Sequence, residues 1–261
     1  MNAPHNALAF TQDRPAAVRN AVEVAHVSKQ FGKLMVLEDI SLSAPAGSVL
    51  AIVGASGCGK STLLNVIAGL ARADRGSVTI DGATGDRSHD TRVISYMFQE
   101  DRLLPWRTIA ANTEFGLEAR PMRASERRER SLEVLKMTGL EGFENAYPHE
   151  LSGGMRSRVA LARSLVVKPY MLLMDEPFSK LDPQMRSQMH AELLRIRDQL
   201  KMTIVFVTHD VEEAIVLADR IVVLKPRPGR VRDVLDIDLP RPRDPLAADV
   251  AEAVRHVRAL I

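Results

Sequence analysis

Short continuous runs of apolar residues form the main pattern along the chain. Four of them contain no polar position: Val49 to Val53, Met171 to Met174, Ile204 to Val207 and Ile221 to Leu224. Runs of this length are typical of parallel strands that are covered by other elements on both faces of the sheet. The pattern therefore predicts a parallel sheet at the centre of the fold.

Helical patterns alternate with these runs. Asp182 is placed to cap a helix that has Pro183 at its first position, and apolar residues then follow at helical spacing on one face: Met185, Met189, Leu193, Ile196 and Leu200. Strands that alternate with helices indicate an α/β core. Val22 and Val24, like Val78 and Ile80, instead alternate with polar residues, which predicts an antiparallel sheet beside this core.

The segment from Gln99 to about Leu165 contains no strand candidate. Residues 125–137 are charged and helix-prone, and a second helical spacing follows in Met155, Val159, Ala162 and Val166. We expect a helical subdomain, residues 100–165, inserted between two core segments, 21–99 and 166–238. A C-terminal helix, 246–261, is predicted to place four apolar residues on one side: Val250, Val254, Val257 and Ile261.

Composition and charge exclude several classes of protein. Apolar residues make up 46% of the chain and the formal net charge is +2, so the charge balance does not indicate a nucleic-acid partner. The single cysteine excludes an internal disulfide and fits a reducing compartment. No run approaches the roughly 20 apolar residues of a membrane span. The first 20 residues lack the features of a signal peptide and are interpreted as a flexible tail.

A glycine-rich segment, GASGCGKST, lies between the first apolar run and an apolar helix. It matches the pattern G-x-x-x-x-G-K-[ST], in which backbone N–H groups and a helix N-terminus bind phosphate. Lys60 would neutralise the β- and γ-phosphates, and Ser61 would offer its hydroxyl to Mg²⁺. The predicted nucleotide-binding loop consists of Gly54, Ala55, Ser56, Gly57, Cys58, Gly59, Lys60, Ser61 and Thr62.

Cys58 lies in this loop, at a helix N-terminus. That position is expected to lower the pKa of the thiol and make it reactive. The alternative, which we favour for its role, is a small residue tolerated where only the backbone contacts the ligand.

Two adjacent carboxylates end the apolar run in MLLMDEP. Asp175 is placed to hold Mg²⁺, and Glu176 to polarise a water for attack on the γ-phosphate. A strand followed by Asp-Glu-Pro could also be a simple turn, but the nucleotide-binding loop favours the catalytic interpretation.

A second anion site is predicted in LSGGMRSRVALAR, where Ser152, Gly153 and Gly154 precede a helix. A single nucleotide in one chain does not need two γ-phosphate sites, whereas two chains arranged head to tail do. The three motifs in this order resemble the ATP-binding subunits of ABC transporters, over about Val22 to Val234.

The resemblance implies a P-loop NTPase (RecA-like) parallel-sheet core with an antiparallel β subdomain and an inserted helical subdomain. It implies ATP and Mg²⁺ as ligands, with two ATP molecules held between two copies of an ABC ATPase domain, residues 21–261. Four further residues match family positions. Phe31 would stack on adenine, and Gln99 would reach Mg²⁺ and the attacking water. Asp182 would cross to the nucleotide site of the opposite copy, and His209 would contact the γ-phosphate.

The chain departs from the commoner family residues at three positions: Phe31, Lys180 and Ser157.

Three functional classes remain open: the ATPase of an importer, a soluble ABC ATPase acting on nucleic acid or ribosomes, and an export or lipoprotein-release ATPase. The segments FQEDRLLPWRT, LSGGMR, FVTHDVEEAIVLADRIVVL and PRPGRV resemble the nitrate, sulfonate and taurine import ATPases. This likeness favours an importer and implies a small anionic solute. The partners would be membrane permease subunits, a second identical ATP-binding subunit and, indirectly, a solute-binding protein, with no nucleic acid. The location would be peripheral, at the cytoplasmic face of the cell (inner) membrane.

The segment FQEDRLLPWRT places Leu103, Leu104 and Trp106 outside any regular pattern. In related importers this segment borders the groove that receives a permease helix. We therefore expect permease docking near Gln99 to Trp106. The alternative is that Trp106 belongs to the core of the helical subdomain.

Overall fold

The computed structural model describes residues 19–84 and 94–261. The predicted N-terminal tail lies outside the described residues, except for Arg19 and Asn20. The strands are β1 (Asn20–Phe31), β2 (Leu34–Pro45), β3 (Val49–Gly54), β4 (Arg75–Ile80), β5 (Ala83–Thr84), β6 (Ile94–Met97), β7 (Met171–Asp175), β8 (Thr203–Thr208), β9 (Arg220–Lys225) and β10 (Arg230–Asp236). The α-helices are α1 (Lys60–Ile67), α2 (Ile109–Glu114), α3 (Ala124–Met137), α4 (Gly153–Leu165), α5 (Pro183–Leu200), α6 (Val211–Leu217) and α7 (Ala248–Ala259).

A six-stranded sheet forms the centre of the fold, in the order β10-β9-β3-β8-β7-β6. The four apolar runs lie in β3, β7, β8 and β9, which pair in parallel, so the predicted parallel sheet is confirmed. Alternate residues of β3 face different hydrophobic clusters. Leu50 and Ile52 pack towards the antiparallel sheet and α1, while Ala51 and Val53 pack towards the other helices. Because both faces are covered, the strand is apolar at every position.

A second, antiparallel sheet has the order β2-β1-β4-β5. Val22 pairs with Ile80 and Val24 pairs with Val78, so the four residues that predicted this sheet are direct neighbours across two strands. The predicted α/β fold with an additional antiparallel sheet is therefore confirmed.

Helices occupy the chain between β6 and β7, where α3 and α4 match the two predicted helical segments. α7 buries Val250, Val254 and Val257, as expected. The expectation for Ile261 is wrong, because the helix ends at Ala259 and Ile261 is exposed. Within the described ranges, none of the helices combines the length and the hydrophobicity that crossing a bilayer requires.

Candidate nucleotide-binding and catalytic site

The glycine-rich loop connects β3 to α1, and close packing fixes its path. At Gly54 a Cβ atom would lie 2.5 Å from the Leu224 carbonyl oxygen. Gly59 has a φ of +96°, and a Cβ atom there would lie 2.6 Å from the Leu37 side chain. The loop is therefore held between β9 and β2 at positions where only glycine fits.

Lys60 reaches back across the same loop. Its side chain is only 7% exposed, and its Nζ donates hydrogen bonds to the carbonyl oxygens of Gly54 at 2.8 Å and Ala55 at 3.2 Å. The ammonium group therefore lies against the loop backbone, beside the N-terminus of α1. The ammonium group and the helix N-terminus both provide positive potential for an anion.

The thiol of Cys58 points away from solvent, into the cluster between β3, α1 and the antiparallel sheet. Burial raises the pKa of Cys58, and this effect outweighs the opposing charge of Lys60. The expectation of a lowered pKa is therefore wrong. A helix N-terminus activates a thiol only when the thiolate can be solvated, and this one is enclosed by apolar neighbours.

Asp175 lies at the end of β7 and contacts the glycine-rich loop. Ser61 Oγ donates a hydrogen bond of 2.9 Å to Asp175 Oδ1. Burial raises the pKa of Asp175 above its usual value, and the Ser61 hydrogen bond acts in the opposite direction. The hydroxyl and carboxylate that the sequence assigns to one metal are thus in direct contact.

Glu176 contacts two other residues that the sequence singled out, Gln99 and His209. Gln99 Nε2 donates to Glu176 Oε2 at 3.0 Å, and His209 Nδ1 lies 3.3 Å from Glu176 Oε1. The backbone N–H of Glu176 donates to the Val207 carbonyl oxygen at 3.0 Å, at a φ of +44°. A glutamate in this left-handed conformation is strained, and such strain persists where neighbouring structure enforces it. The carboxylate is therefore held at the carboxyl edge of the parallel strands.

The Ser-Gly-Gly segment forms the start of α4. Ser152 is the N-cap, and its Oγ accepts a hydrogen bond from the Met155 N–H at 3.3 Å. A Cβ atom at Gly154 would lie 3.2 Å from Met185 Cγ, whereas the nearest atom to a Cβ at Gly153 would be Arg156 Nη2, at 3.8 Å. The segment therefore presents a capped helix N-terminus that packs against the start of α5.

Phe31 and Asp182 do not contact the cluster of Gln99, Glu176 and His209. They contact other parts of the chain. Phe31, at the end of β1, is 53% exposed, and Lys29 Nζ lies 5.1 Å from its ring centroid. Asp182 caps α5 by accepting a hydrogen bond from the Met185 N–H at 2.9 Å. Both side chains are therefore presented at the surface, as contacts with a ligand or a second chain would require.

Trp106 is 72% exposed, so its interpretation as a core residue is wrong. Leu103 and Leu104 are half-buried, and the Leu104 N–H donates to Asn112 Oδ1 at 2.8 Å. Buried Asn112 also donates to the carbonyl oxygens of Leu104 and Arg107, each at 3.1 Å. The buried side-chain amide of Asn112 therefore holds the segment around Leu104 in place, a role that sequence reasoning missed.

Two arginines on α4 hold the same segment, and sequence reasoning missed these as well. Arg163 donates to the carbonyl oxygens of Asp101 at 2.6 Å and Arg102 at 2.7 Å. Arg156 Nε lies 3.1 Å from Asp101 Oδ2. The two arginines are seven residues apart, or nearly two helical turns, so that spacing was an available signal for a shared partner.

A family model described as ABC transporter matches residues 37–179, which is more than half of the chain. The chain belongs to this family. As an ATP-binding subunit of the ABC family, it binds ATP and is an ATPase, and its P-loop NTPase fold is that of the ABC cassettes.

Individual ABC relatives cover most of the chain. The aliphatic sulfonates import ATP-binding protein of Xanthomonas axonopodis pv. citri is 44% identical over 85% of this chain and 88% of its own length. The taurine import ATP-binding protein of Rhizobium johnstonii is 43% identical over 78% of each chain. A solved ABC cassette, dimeric in a post-hydrolysis state with ADP and Pi, superposes with a TM-score of 0.74 at 33% identity. That match covers 84% of this chain and 99% of the solved one.

Proposed function

We propose that this ABC ATPase is the energising subunit of an importer for a small anionic solute of the nitrate, sulfonate or taurine type. The observation that carries the proposal is the Glu176 carboxylate, held between Gln99 and His209 beside the glycine-rich loop. The sulfonate and taurine import relatives support the direction of transport and the class of solute.

The P-loop, residues 54–62, would bind the ATP phosphates. Its backbone N–H groups and the N-terminus of α1 would surround the β-phosphate, and Lys60 would exchange its loop carbonyls for phosphate oxygens. Phe31 would stack on the adenine. Its exposure at the end of β1 leaves one face of the ring accessible to a base.

The residues proposed for Mg²⁺ offer hard oxygen donors, which this ion prefers. They are the Ser61 hydroxyl, the Asp175 carboxylate and the side-chain carbonyl of Gln99. The 2.9 Å contact between Ser61 and Asp175 fits a shared cation site. Within the described residues no group of three or more acidic, histidine or cysteine side chains could hold a metal ion. A site with few protein ligands fits Mg²⁺, which usually retains waters and substrate oxygens. Bound Mg²⁺ would supply charge neutralisation of the phosphates.

Glu176 would act as the general base. Its carboxylate would accept a proton from a water whose oxygen attacks the γ-phosphorus, while the bond to the β–γ bridging oxygen breaks and ADP leaves. Gln99 would orient that water, and His209 would donate a hydrogen bond to the γ-phosphate. The strained backbone at Glu176 would keep the carboxylate in place before the substrate arrives.

A second copy of the chain would complete each site. Ser152, Gly153 and Gly154 would bind the γ-phosphate held by the opposite P-loop, and Asp182 would approach from the segment before α5. The dimeric cassette with ADP and Pi, at 33% identity, supports this arrangement.

The segment from Gln99 to Trp106 would receive the permease, at the cytoplasmic face of the inner membrane. A solute-binding protein would act on the permease from the opposite side. The 72% exposure of Trp106, above a segment fixed by Asn112 and two arginines, supports a preformed docking surface.

Reconstitution tests this function directly. The chain would be assembled with candidate permease subunits in lipid nanodiscs, and ATP hydrolysis would be measured with taurine, an alkyl sulfonate or nitrate and a matching solute-binding protein. We expect stimulation by one of these anions. Stimulation by DNA or ribosomes without a permease would instead support the soluble class.

A further inference from the structure

His209 depends on its backbone for its position. Its side chain is 61% exposed, and its Nδ1 lies 3.3 Å from Glu176 Oε1. A side chain with so little packing points where the main chain directs it. The residues on either side, Thr208 and Asp210, therefore determine whether the imidazole meets Glu176.

Both flanking residues are tied to the start of α6. The Thr208 hydroxyl donates a hydrogen bond to the buried carboxylate of Glu213 and accepts one from the Asp210 N–H at 3.0 Å. Asp210 Oδ1 accepts hydrogen bonds from the N–H groups of Glu212 at 2.9 Å and Glu213 at 3.3 Å. These bonds form a helix cap, and they leave the second carboxylate oxygen of Asp210 directed away from α6.

Arg186, on α5, binds that second oxygen of Asp210. Its Nη1 donates to Asp210 Oδ2 at 2.8 Å, and its Nη2 donates to the Leu181 carbonyl oxygen at 3.2 Å. The Arg186 and Asp210 side chains are 30% and 29% exposed, so solvent screens the attraction between their charges only in part. One guanidinium group thus joins the main chain before α5 to the N-cap of α6.

The segment that Arg186 holds faces outwards. Ser179, Lys180 and Asp182 are exposed, while Leu181 between them is buried and packs near Gly154. Asp182 is the residue proposed to approach the nucleotide site of the second copy. The carbonyl that binds Arg186 is therefore adjacent to the point where a second copy would press on this chain.

We propose that Arg186 is a positioning residue that couples residues 179–182 to His209 through Asp210. The inference rests on the proposed two-chain site. When the second copy presses on this segment, the Leu181 carbonyl would shift, the guanidinium would carry Asp210 with it, and His209 would move relative to Glu176. A planar guanidinium fits this task because its two Nη groups bind two partners in a fixed geometry, which a lysine ammonium does not provide.

The first test compares Arg186→Gln with the full-length wild type in steady-state ATP hydrolysis. We expect kcat to fall about tenfold, equivalent to about 1.4 kcal/mol in the barrier, while the Kd for ATP stays within about twofold. Arg186→Lys should not restore kcat. Arg195→Gln is the matched control, because Arg195 lies on the same helix and contacts Glu192 and Met137 instead. It should retain wild-type kcat.

The second test observes His209 itself. The ring resonances of histidine are recorded by NMR with ATP bound in the Glu176→Gln background, and His209 is assigned from its loss in His209→Asn. Arg186→Gln should shift this resonance and Arg195→Gln should not. If Arg186→Gln does not fold, Asp210→Asn replaces it, because asparagine still caps α6 but its amide cannot accept both arrays of donors.

The outcomes separate the two proposals. An unmoved His209 resonance, or an unchanged kcat in Arg186→Gln, would overturn the coupling role while leaving the proposed function intact. Wild-type turnover in Glu176→Gln alone would overturn the proposed catalytic site itself.

Discussion

At the scale of single residues, the environment of a side chain decides its chemistry more than its position in a motif. Cys58 and Lys60 lie two residues apart at the same helix N-terminus. Lys60 folds under the loop and remains within hydrogen-bonding reach of its carbonyls, whereas Cys58 is turned into the apolar cluster and its pKa is raised. The loop therefore keeps the charge of Lys60 next to the proposed phosphate site and the thiol of Cys58 out of contact with solvent.

Thiol labelling tests the burial of Cys58. A buried, protonated thiol should react with iodoacetamide at least about tenfold more slowly in the native chain than in urea, because labelling requires local opening. The rates are compared at one pH by mass spectrometry. Equal rates in both conditions would show that the thiol is exposed.

The close contacts of Gly54 lead to a stability prediction. Gly54→Ala should lower the free energy of unfolding by about 2 kcal/mol or more, since its Cβ would overlap the Leu224 carbonyl. Gly57→Ala is the matched control, with a φ of +76° but no atom within 4 Å of the added carbon, and should cost only about 1 kcal/mol. Urea unfolding measures both. Similar losses would mean that the strain at Gly54 comes from φ alone.

At the scale of elements, burial on both faces explains which parts of the fold were predictable. β3, β7, β8 and β9 are covered on both sides and read as apolar runs. β10 was missed because it lies at the edge of the sheet and most of its positions are at least partly exposed, with arginine and aspartate between its apolar residues. An edge strand of this kind has no continuous apolar signal.

Helices α2 and α4 hold the segment from Gln99 to Trp106 in place. Trp106→Asp should leave ATP hydrolysis by the isolated chain and its melting temperature unchanged, since the ring is exposed, but should reduce co-purification with the permease at least about tenfold. Trp106 is a cleaner choice than half-buried Leu104.

Leu246→Asp is the control for that variant, because Leu246 is 91% exposed in the segment before α7. It should co-purify like the wild type. Equal permease recovery with Trp106→Asp and with the control would exclude Trp106 from the docking surface.

At the scale of the whole molecule, the order of three short motifs was enough to predict the family and the fold, and it also singled out the residues that we propose as catalytic. The contacts that hold these residues in place could not be predicted from the sequence. Arg186 and Asp210 are separated by 24 positions, and Arg163 and Asp101 by 62, so their pairing follows only from the packed fold. Local patterns report local geometry, whereas these polar links depend on how distant elements pack together.

The proposed two-chain arrangement leads to a prediction about Ser152. Ser152→Asp should keep α4 capped, since aspartate is an equally good N-cap, but its charge would repel a γ-phosphate. In the Glu176→Gln background, Mg-ATP should dimerise the chain with Ser152 or Ser152→Thr and not with Ser152→Asp. Light scattering reports the mass. ATP-dependent dimers of Ser152→Asp would exclude this helix N-terminus from the second site.

ATP turnover by Glu176→Gln, with ATP binding measured in parallel, tests most directly whether Glu176 is the general base. Glutamine keeps the size of the side chain and cannot accept the proton from water. The Kd for ATP should therefore stay within about threefold, while kcat falls at least about 10²-fold, the size expected for loss of a general base. Wild-type turnover in this variant would show that Glu176 is not the general base.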